Sequence, residues 1–221
     1  AASQINIAGP KTVENDEQNL LVANLNLVAG IRSMELSDFI SALSFLDNGI
    51  SFLRKGHWKE HYDLSLKLFE AASKCALVIG DHDILRLLSE QIQTFGRTFE
   101  DKLNSVYYQC VTLMHTSQFE ESGNLALSVL AKLGEEIPEE SCSQTDTINQ
   151  IEETKAMLEG YTDEELLNYM PLVDHHKVMA MKFYGRCEVI FHMIKPWVLP
   201  IITLKMVQLS ISQGMNPLSQ V

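Results

Sequence analysis

The feature of this sequence that most constrains its fold is a helix-turn-helix pattern that repeats along the first half of the chain. The second helix of each predicted unit starts with an aromatic residue or a histidine, at Phe39, His82 and Phe119, so the pattern recurs after 43 and then 37 residues. Repeats of this length are typical of stacked helical hairpins, in which each unit buries its apolar face against its neighbours. The pattern therefore predicts an array of hairpins rather than one closed globule.

Six helices are predicted between Pro10 and Pro138, an interval that contains no other proline. Apolar residues recur at helical spacing within them, as at Leu64, Leu68 and Ala71. The short polar turns between paired helices predict antiparallel packing, and strand signals are almost absent. The predicted fold class is therefore all-α, with antiparallel helical hairpins stacked as an α-α solenoid.

Three segments are predicted along the chain. Residues 1–134 carry the helical repeats, and residues 135–147 (EEIPEESCSQTDT) form a polar, acidic connector that contains Pro138. Residues 148–221 are expected to form further helical hairpins that continue the same array. Helices are predicted there over about 148–158, after a capping box at residues 162–165, and over about 175–193 and 197–213.

Charge and hydropathy exclude several classes of partner. Seventeen Lys and Arg against 29 Asp and Glu give a net charge of -12, which disfavours nucleic acid or an anionic membrane surface as the main partner. The most apolar stretch, residues 189–209, contains His192, Lys195 and Pro196, so no run reaches the roughly 20 apolar residues of a membrane span. We interpret that stretch as a buried helical layer.

The four cysteines predict a reducing compartment. They are scattered without a CxxC pair, and three of them lie in apolar helical stretches where Cys behaves as a small hydrophobic residue. Together with the absence of a secretory signal in these residues, this predicts a cytoplasmic location. Because the sequence does not begin with Met, we expect its start to be a fragment boundary.

A series of short motifs, taken in order, resembles one known family. The motifs are Gln4-Ile5-Asn6, Leu25-Asn26-Leu27-Val28-Ala29-Gly30, Phe39-Ile40-Ser41-Ala42, Leu46-Asp47-Asn48-Gly49-Ile50, Trp58, Tyr62-Asp63-Leu64, Gly80-Asp81, Leu133-Gly134, Ile137-Pro138, Pro171 with Asp174, and the block from Pro196 to Gly214. They resemble the tetratricopeptide-like (TPR-like) helical region that follows the AAA-type, STAND-class ATPase domain in very large signalling proteins. The resemblance covers essentially the whole chain. Because that family continues with further helices, we expect the chain to be truncated at its C-terminus.

The resemblance implies a TPR-like right-handed superhelix and a role in signal transduction. In that family a protein-kinase-like domain commonly precedes the ATPase, and GAF, histidine-kinase or nucleotide-cyclase domains can follow the helices. The chain departs from the ordinary tetratricopeptide consensus, because its units exceed 34 residues and the third has Ser117 in place of the turn glycine.

Two histidine motifs in the first half of the chain are candidates for a metal site or a catalytic site. His57 and His61 have the i, i+4 spacing of a zinc-binding pair, but no third ligand lies at a recognisable spacing. Trp58 and Tyr62 beside them favour a packing or surface role. The turn at residues 81–83 (DHD) could form an acid/base cluster. Because its repeat equivalent is Phe119, we predict instead that His82 packs the start of the hairpin while the two aspartates serve the helix N-terminus.

The other candidate motifs also favour ordinary structural roles. Residues 9–12 (GPKT) lack the glycines and the preceding strand of a phosphate loop. His175 and His176, which could be mistaken for a phospho-acceptor site, are interpreted as solvated side chains near a helix start. Glutamate pairs at residues 135–136, 139–140 and 152–153 are interpreted as solvated charge. The methionines, concentrated in the second half, are interpreted mainly as core filling, with an adaptable binding surface as the alternative.

We therefore expect a non-catalytic, helical-repeat regulatory or scaffolding arm of a multidomain signalling ATPase or kinase, which mediates protein–protein or interdomain interaction. No catalytic residue, cofactor or metal ligand is expected, and the sequence does not identify the protein-binding residues. One alternative is a stand-alone scaffold that forms homo-oligomers through exposed array ends. Another is a small-ligand or metal-dependent helical enzyme, which requires inward-facing carboxylates and His where the sequence offers mainly Leu, Ala, Ile and Phe.

Overall fold

The computed structural model describes Asn6 and residues 15–137, 143–162, 164–165 and 171–214. The helices are α1 (Asp16–Glu35), α2 (Phe39–Ser51), α3 (His57–Glu60), α4 (Tyr62–Ile79), α5 (His82–Phe95), α6 (Phe99–His115), α7 (Phe119–Lys132), α8 (Gln144–Leu158), α9 (His175–Ile194) and α10 (Leu199–Gln213), with a 3₁₀ turn at Pro196–Val198. No β-strand occurs in these described ranges, so the predicted all-α class is confirmed. The chain divides into two compact units, Ala1–Thr112 and Leu113–Val221.

The turns before α2, α5 and α7 share one backbone structure. Ser37, Gly80 and Ser117 are left-handed, with φ of 60°, 81° and 61°. A hydrogen bond of the Schellman type closes each preceding helix, from Asp38 N to Ser33 O, from Asp81 N to Ala76 O and from Gln118 N to Leu113 O, at 2.9, 3.0 and 2.9 Å. The second helices then begin at the three predicted positions, Phe39, His82 and Phe119, which confirms these helix starts.

In the first unit, α1 packs on α2, α2 packs on α4, and α4 packs on α5. Two glycines allow this close approach. A Cβ atom on Gly30 would lie 2.6 Å from Leu46 Cγ, and one on Gly49 would lie 2.8 Å from Leu68 Cδ2. The core of these helices consists of Val22, Ala23, Leu27, Ala42, Leu46, Phe52, Leu68, Ala72 and Cys75. Tight helix–helix packing therefore depends on small residues at defined crossing points.

The short helix α3 was not predicted from the sequence. Gly56, with φ of 92°, starts it, and it ends at Glu60 after a single turn. It places Trp58 in the core, where the indole stacks on Phe95 with ring centroids 5.5 Å apart and is tilted against Phe69 at 5.1 Å. A turn of four residues is too short to produce a recognisable hydrophobic period.

In the second unit, α9 packs against both α7 and α10, and α10 packs against α8. The ring of Phe191 on α9 packs directly on Gly123 of α7. A Cβ atom added to Gly123 would lie only 2.8 Å from Phe191 Cε1, so a side chain there would clash with the ring. Gln208 of α10 donates to Gln150 Oε1 at 3.1 Å and to Thr154 Oγ1 at 3.0 Å on α8. A buried amide network and an aromatic contact therefore hold these helices together.

Helix α8 begins at Gln144, inside the predicted connector. Ser143 and Asp146 form a reciprocal capping box there, which starts the helix four residues before the apolar period begins. The capping box predicted at residues 162–165 is confirmed, because the Glu165 carboxylate accepts from Thr162 N at 2.8 Å and Glu165 N donates to Thr162 Oγ1 at 3.3 Å. Among the helices that the structure describes, none is long and apolar enough to cross a membrane.

Candidate functional site

The first unit carries a groove lined by one side of α1, α4 and α6. Its volume is about 500 Å³. Each of these helices is the first helix of a hairpin, and the start of α2 closes the groove with Phe39. The lining residues are Leu27, Ile31, Met34, Glu35, Phe39, Lys67, Glu70, Ala71, Lys74, Asn104 and Tyr108.

Local sequence explains how these residues come to one face. Leu27, Ile31 and Met34 follow the i, i+4, i+7 spacing that aligns side chains along one side of α1. Lys67, Ala71 and Lys74 have the same spacing on α4. The core residues of α1 and α4 lie on the adjacent face, and Leu27 belongs to both faces, so these stripes form the walls of a groove at the edge of the core.

The groove combines an apolar floor with charges of both signs. Leu27 and Tyr108 are buried, while Lys67, Lys74 and Glu35 are exposed at its edges. Asn104 Nδ2 on α6 donates a long hydrogen bond of 3.4 Å to Glu70 Oε1 on α4. An apolar floor with a charged edge is a typical surface for binding a protein segment.

The ionisable groups at the bottom of the groove stay protonated in the neutral pH range. Burial raises the pKa of the Tyr108 hydroxyl, and the nearby Glu70 charge raises it further. Burial also raises the pKa of the Cys75 thiol, in the core behind the groove, to about 11. A thiol with a raised pKa is a weak nucleophile, so the floor offers hydrogen bonding and apolar contact rather than nucleophilic chemistry.

The pair His57 and His61 does not lie on one continuous helix. His57 opens α3, and His61 follows its end and precedes α4. His57 Nδ1 lies 2.8 Å from Ser65 Oγ, and its ring stacks on Phe69 with centroids 6.0 Å apart. Burial, and then the proximity of His61, lower the pKa of His57. The packing interpretation of this motif is therefore confirmed for His57.

The turn at residues 81–83 forms a helix N-cap. Asp81 Oδ1 accepts from Ile84 N at 3.0 Å, and Asp83 lies in the first turn of α5. His82 is the first residue of that helix and is half-buried. The prediction that the aspartates serve the helix start is confirmed, and no acid/base cluster needs to be invoked.

The remaining histidine and methionine motifs occupy the positions expected for structural residues. His175 and His176 are exposed in the first turn of α9, behind the N-cap Asp174. Met179 and Met181 are buried in the core, as the core-filling interpretation predicts, whereas Met193 is exposed and does not fit it. Residues 9–12 and 139–140 lie outside the described residues.

Glu135 corrects the expectation that all the glutamate pairs are solvated. Its carboxylate is largely buried and contacts Lys177 Nζ at 2.6 Å, while the Tyr184 hydroxyl donates to it at 3.0 Å. It lies beyond the left-handed Gly134, whose turn directs the chain toward α9. A long-range ion pair of this kind has no local signal in the sequence. Glu152 and Glu153, in contrast, are exposed as expected.

The groove itself was missed by sequence reasoning. The available signal was a second stripe of side chains beside the core stripe. On α1 this stripe is apolar, and on α4 it places Ala71 between Lys67 and Lys74. Nothing in a single sequence indicates which stripes of different helices face each other. In the ranges described above, no group of three or more His, Cys, Asp or Glu side chains is arranged to hold a metal ion.

Comparisons with protein-family models, with curated proteins and with solved structures found no match to this chain.

Proposed function

We propose that this chain is a protein-interaction arm built from TPR-like helical hairpins, and that the groove between α1, α4 and α6 is its binding surface. The observation that carries the proposal is that the first helices of successive hairpins line one continuous groove. Repeat proteins with hairpins in a right-handed superhelix expose their first helices on the concave side, where they bind partners. The repeated Schellman turns support the same arrangement.

The parent protein proposed for this arm is a large signalling ATPase. This part of the proposal rests on the ordered motifs that resemble the helical region next to an AAA-type, STAND-class ATPase domain. In such a protein the arm would dock differently in two nucleotide states and so pass a change from the ATPase to an output domain. The residues of the groove suit this role because the groove has charged edges. Permanent interfaces are more apolar, whereas an interface with a polar rim is typical of partners that bind and dissociate.

Photo-crosslinking tests the binding surface. A photoreactive amino acid at Ala71, in the middle of the groove, is expected to give adducts with a defined protein segment in cells of the source organism. The matched control carries the same amino acid at Leu87, which is exposed on α5 outside the groove. Adducts of equal yield at both positions, or none at Ala71, would reject the groove as the binding surface.

The ATPase assignment has a separate test. The reading frame around codons 1 and 221 in the source genome is expected to encode a phosphate loop upstream and a sensor or kinase domain downstream. A frame that lacks both would reject the parent protein but leave the groove proposal standing. Steady hydrolysis of ATP by the isolated chain at an enzyme-like rate would contradict the non-catalytic assignment.

A further inference from the structure

Helix α1 carries apolar side chains on both of its sides. The buried side, with Val22, Ala23 and Leu27, contacts α2 and α4. On the opposite side Leu21, Leu25 and Val28 are exposed by 60%, 42% and 57%. A helix that is apolar on all sides is normally covered on all sides. The outer stripe therefore marks an interaction surface, and its residues do not line the groove.

The charges at the two ends of this outer stripe indicate what covers it. Glu17 lies one turn before Leu21, and Arg32 lies one turn after Val28, both exposed and on the same side of the helix. The order along the stripe is thus acidic, apolar, apolar, apolar, basic. Glu17 and Arg32 are equally far from the midpoint between Asn24 and Leu25, as are Leu21 and Val28.

We infer that the outer stripe of α1 binds a second copy of this chain, with the two α1 helices antiparallel about a twofold axis near Leu25. This alignment places Leu21 against Val28 of the other copy and Glu17 against Arg32 of the other copy, twice by symmetry. A parallel alignment would put Glu17 against Glu17 and Arg32 against Arg32, and would also align the helix dipoles unfavourably. The stripe is therefore complementary to itself in one orientation only.

The size of the stripe sets the strength of the association. A contact between one helix of each copy is small compared with standard stable interfaces, so the dimer is a weak one that dissociates on dilution. The apolar residues supply the attraction, and the two Glu–Arg pairs fix the orientation. Groove binding and this self-association use different residues, and each can fail without the other.

Sedimentation velocity of the 221-residue chain over a concentration series tests the inference. The wild-type chain is expected to shift from monomer to dimer as its concentration rises. Leu25→Asp, in the centre of the stripe, is expected to weaken dimerisation by at least about tenfold, as expected when a central interface residue is lost. Leu87→Asp on α5 replaces another exposed leucine, which lies outside the stripe, and is expected to leave the dimer unchanged.

Charge reversal tests the orientation. Glu17→Arg and Arg32→Glu alone each place like charges together and are expected to weaken the dimer, while the double variant is expected to restore it. Lys55→Glu, an exposed site outside α1, is the charge-matched control for Arg32→Glu. A chain that stays monomeric at all concentrations would overturn the inference. A dimer that survives Leu25→Asp, or a double reversal without rescue, would overturn it as well.

Discussion

The hydroxyl of Tyr62 donates a 2.5 Å hydrogen bond to Oδ2 of Asp101, which lies 39 residues further along the chain. The same oxygen accepts the backbone N–H groups of Arg97 at 3.1 Å and Thr98 at 3.0 Å, and the Thr98 hydroxyl accepts from Asp101 N at 3.1 Å. The Arg97 guanidinium lies 3.9 Å from the centroid of the Tyr62 ring. One carboxylate therefore ties the first turn of α4 to the first turn of α6, two helices that form the groove.

Removing the Tyr62 hydroxyl is expected to weaken this link. Tyr62→Phe should lower the free energy of unfolding by about 1–2 kcal/mol, because the hydroxyl loses its bond to the charged Asp101 and the bond that it accepts from Arg97 N at 2.8 Å. Urea denaturation measures the change. In a double-mutant cycle with Asp101→Asn, the two losses should be less than additive, and strictly additive losses would show that the two side chains are not coupled.

The Asp101 carboxylate also predicts a pH dependence of stability. Burial favours its neutral form, but the hydrogen bonds from Tyr62, Thr98 and Arg97 outweigh burial and lower the pKa below its ordinary 3.8. A pKa lowered by folding stabilises the protein above the unfolded pKa, and this contribution is lost as the pH falls through the lower folded value. Asp101→Asn should therefore reduce the additional loss of stability that acid causes below about pH 4. Between pH 6 and 8 the variant is less stable than wild type by an amount that does not change with pH.

Ser37 and Ser117 are expected to be strained in the turns of their hairpins. Both adopt the left-handed conformation that Gly80 adopts in the middle hairpin. Ser37→Gly and Ser117→Gly should each raise the free energy of unfolding by roughly 0.5–1 kcal/mol, because glycine has no Cβ penalty at this position. Ser37→Ala is the control that removes the hydroxyl but keeps the strain, and it should give no gain. A gain from Ala equal to that from Gly would refute the strain explanation.

The hairpins could be predicted because their signal is local and repeats. Phe39, His82 and Phe119 each begin a second helix, and the spacing between them identified the units without any knowledge of packing. The shared turn was harder to recognise, since only Gly80 carries the residue that the left-handed conformation favours. Ser117 was interpreted as a departure from the repeat pattern, but its backbone adopts the same left-handed turn as Gly80, and so does Ser37.

The groove and the Glu135 ion pair could not be predicted, because both depend on which helix faces meet. Lys67 and Asn104 lie on different helices, and a single sequence does not relate their orientations. The same holds for the predicted connector. Its acidic residues 135–136 indicate solvated charge when taken alone, but in the folded chain Lys177 of α9 pairs with Glu135. Local patterns specify helices and caps, whereas sites formed between helices depend on tertiary packing.

Gly49 and Gly185 should respond in opposite directions to the same substitution. A Cβ on Gly49 would lie 2.8 Å from Leu68 Cδ2 and 3.2 Å from the Ala23 carbonyl oxygen, so Gly49→Ala should destabilise the protein by about 1–3 kcal/mol. A Cβ on Gly185 meets nothing within 4 Å. Gly185→Ala should instead stabilise α9 by about 0.5–1 kcal/mol through helix propensity. Thermal or urea unfolding of both variants measures the pair, and equal signs would contradict the packing argument.

Two of the lysine ion pairs in the second unit, Lys177–Glu135 and Lys155–Glu152, differ in burial, and this predicts different losses of stability. Lys177 and Glu135 keep side-chain exposures of 27% and 15%, whereas Lys155 and Glu152 keep 62% and 66%. Lys177→Met leaves the Glu135 carboxylate partly buried with the Tyr184 hydroxyl as its remaining described partner, and should cost about 2–3 kcal/mol. Lys155→Met breaks a solvated pair and should cost less than about 0.5 kcal/mol. Combining Lys177→Met with Glu135→Gln should recover part of the loss, because the unpaired charge is then gone. If the double variant is as unstable as the sum of its parts, the cost lies in lost packing by Lys177 rather than in the uncompensated carboxylate.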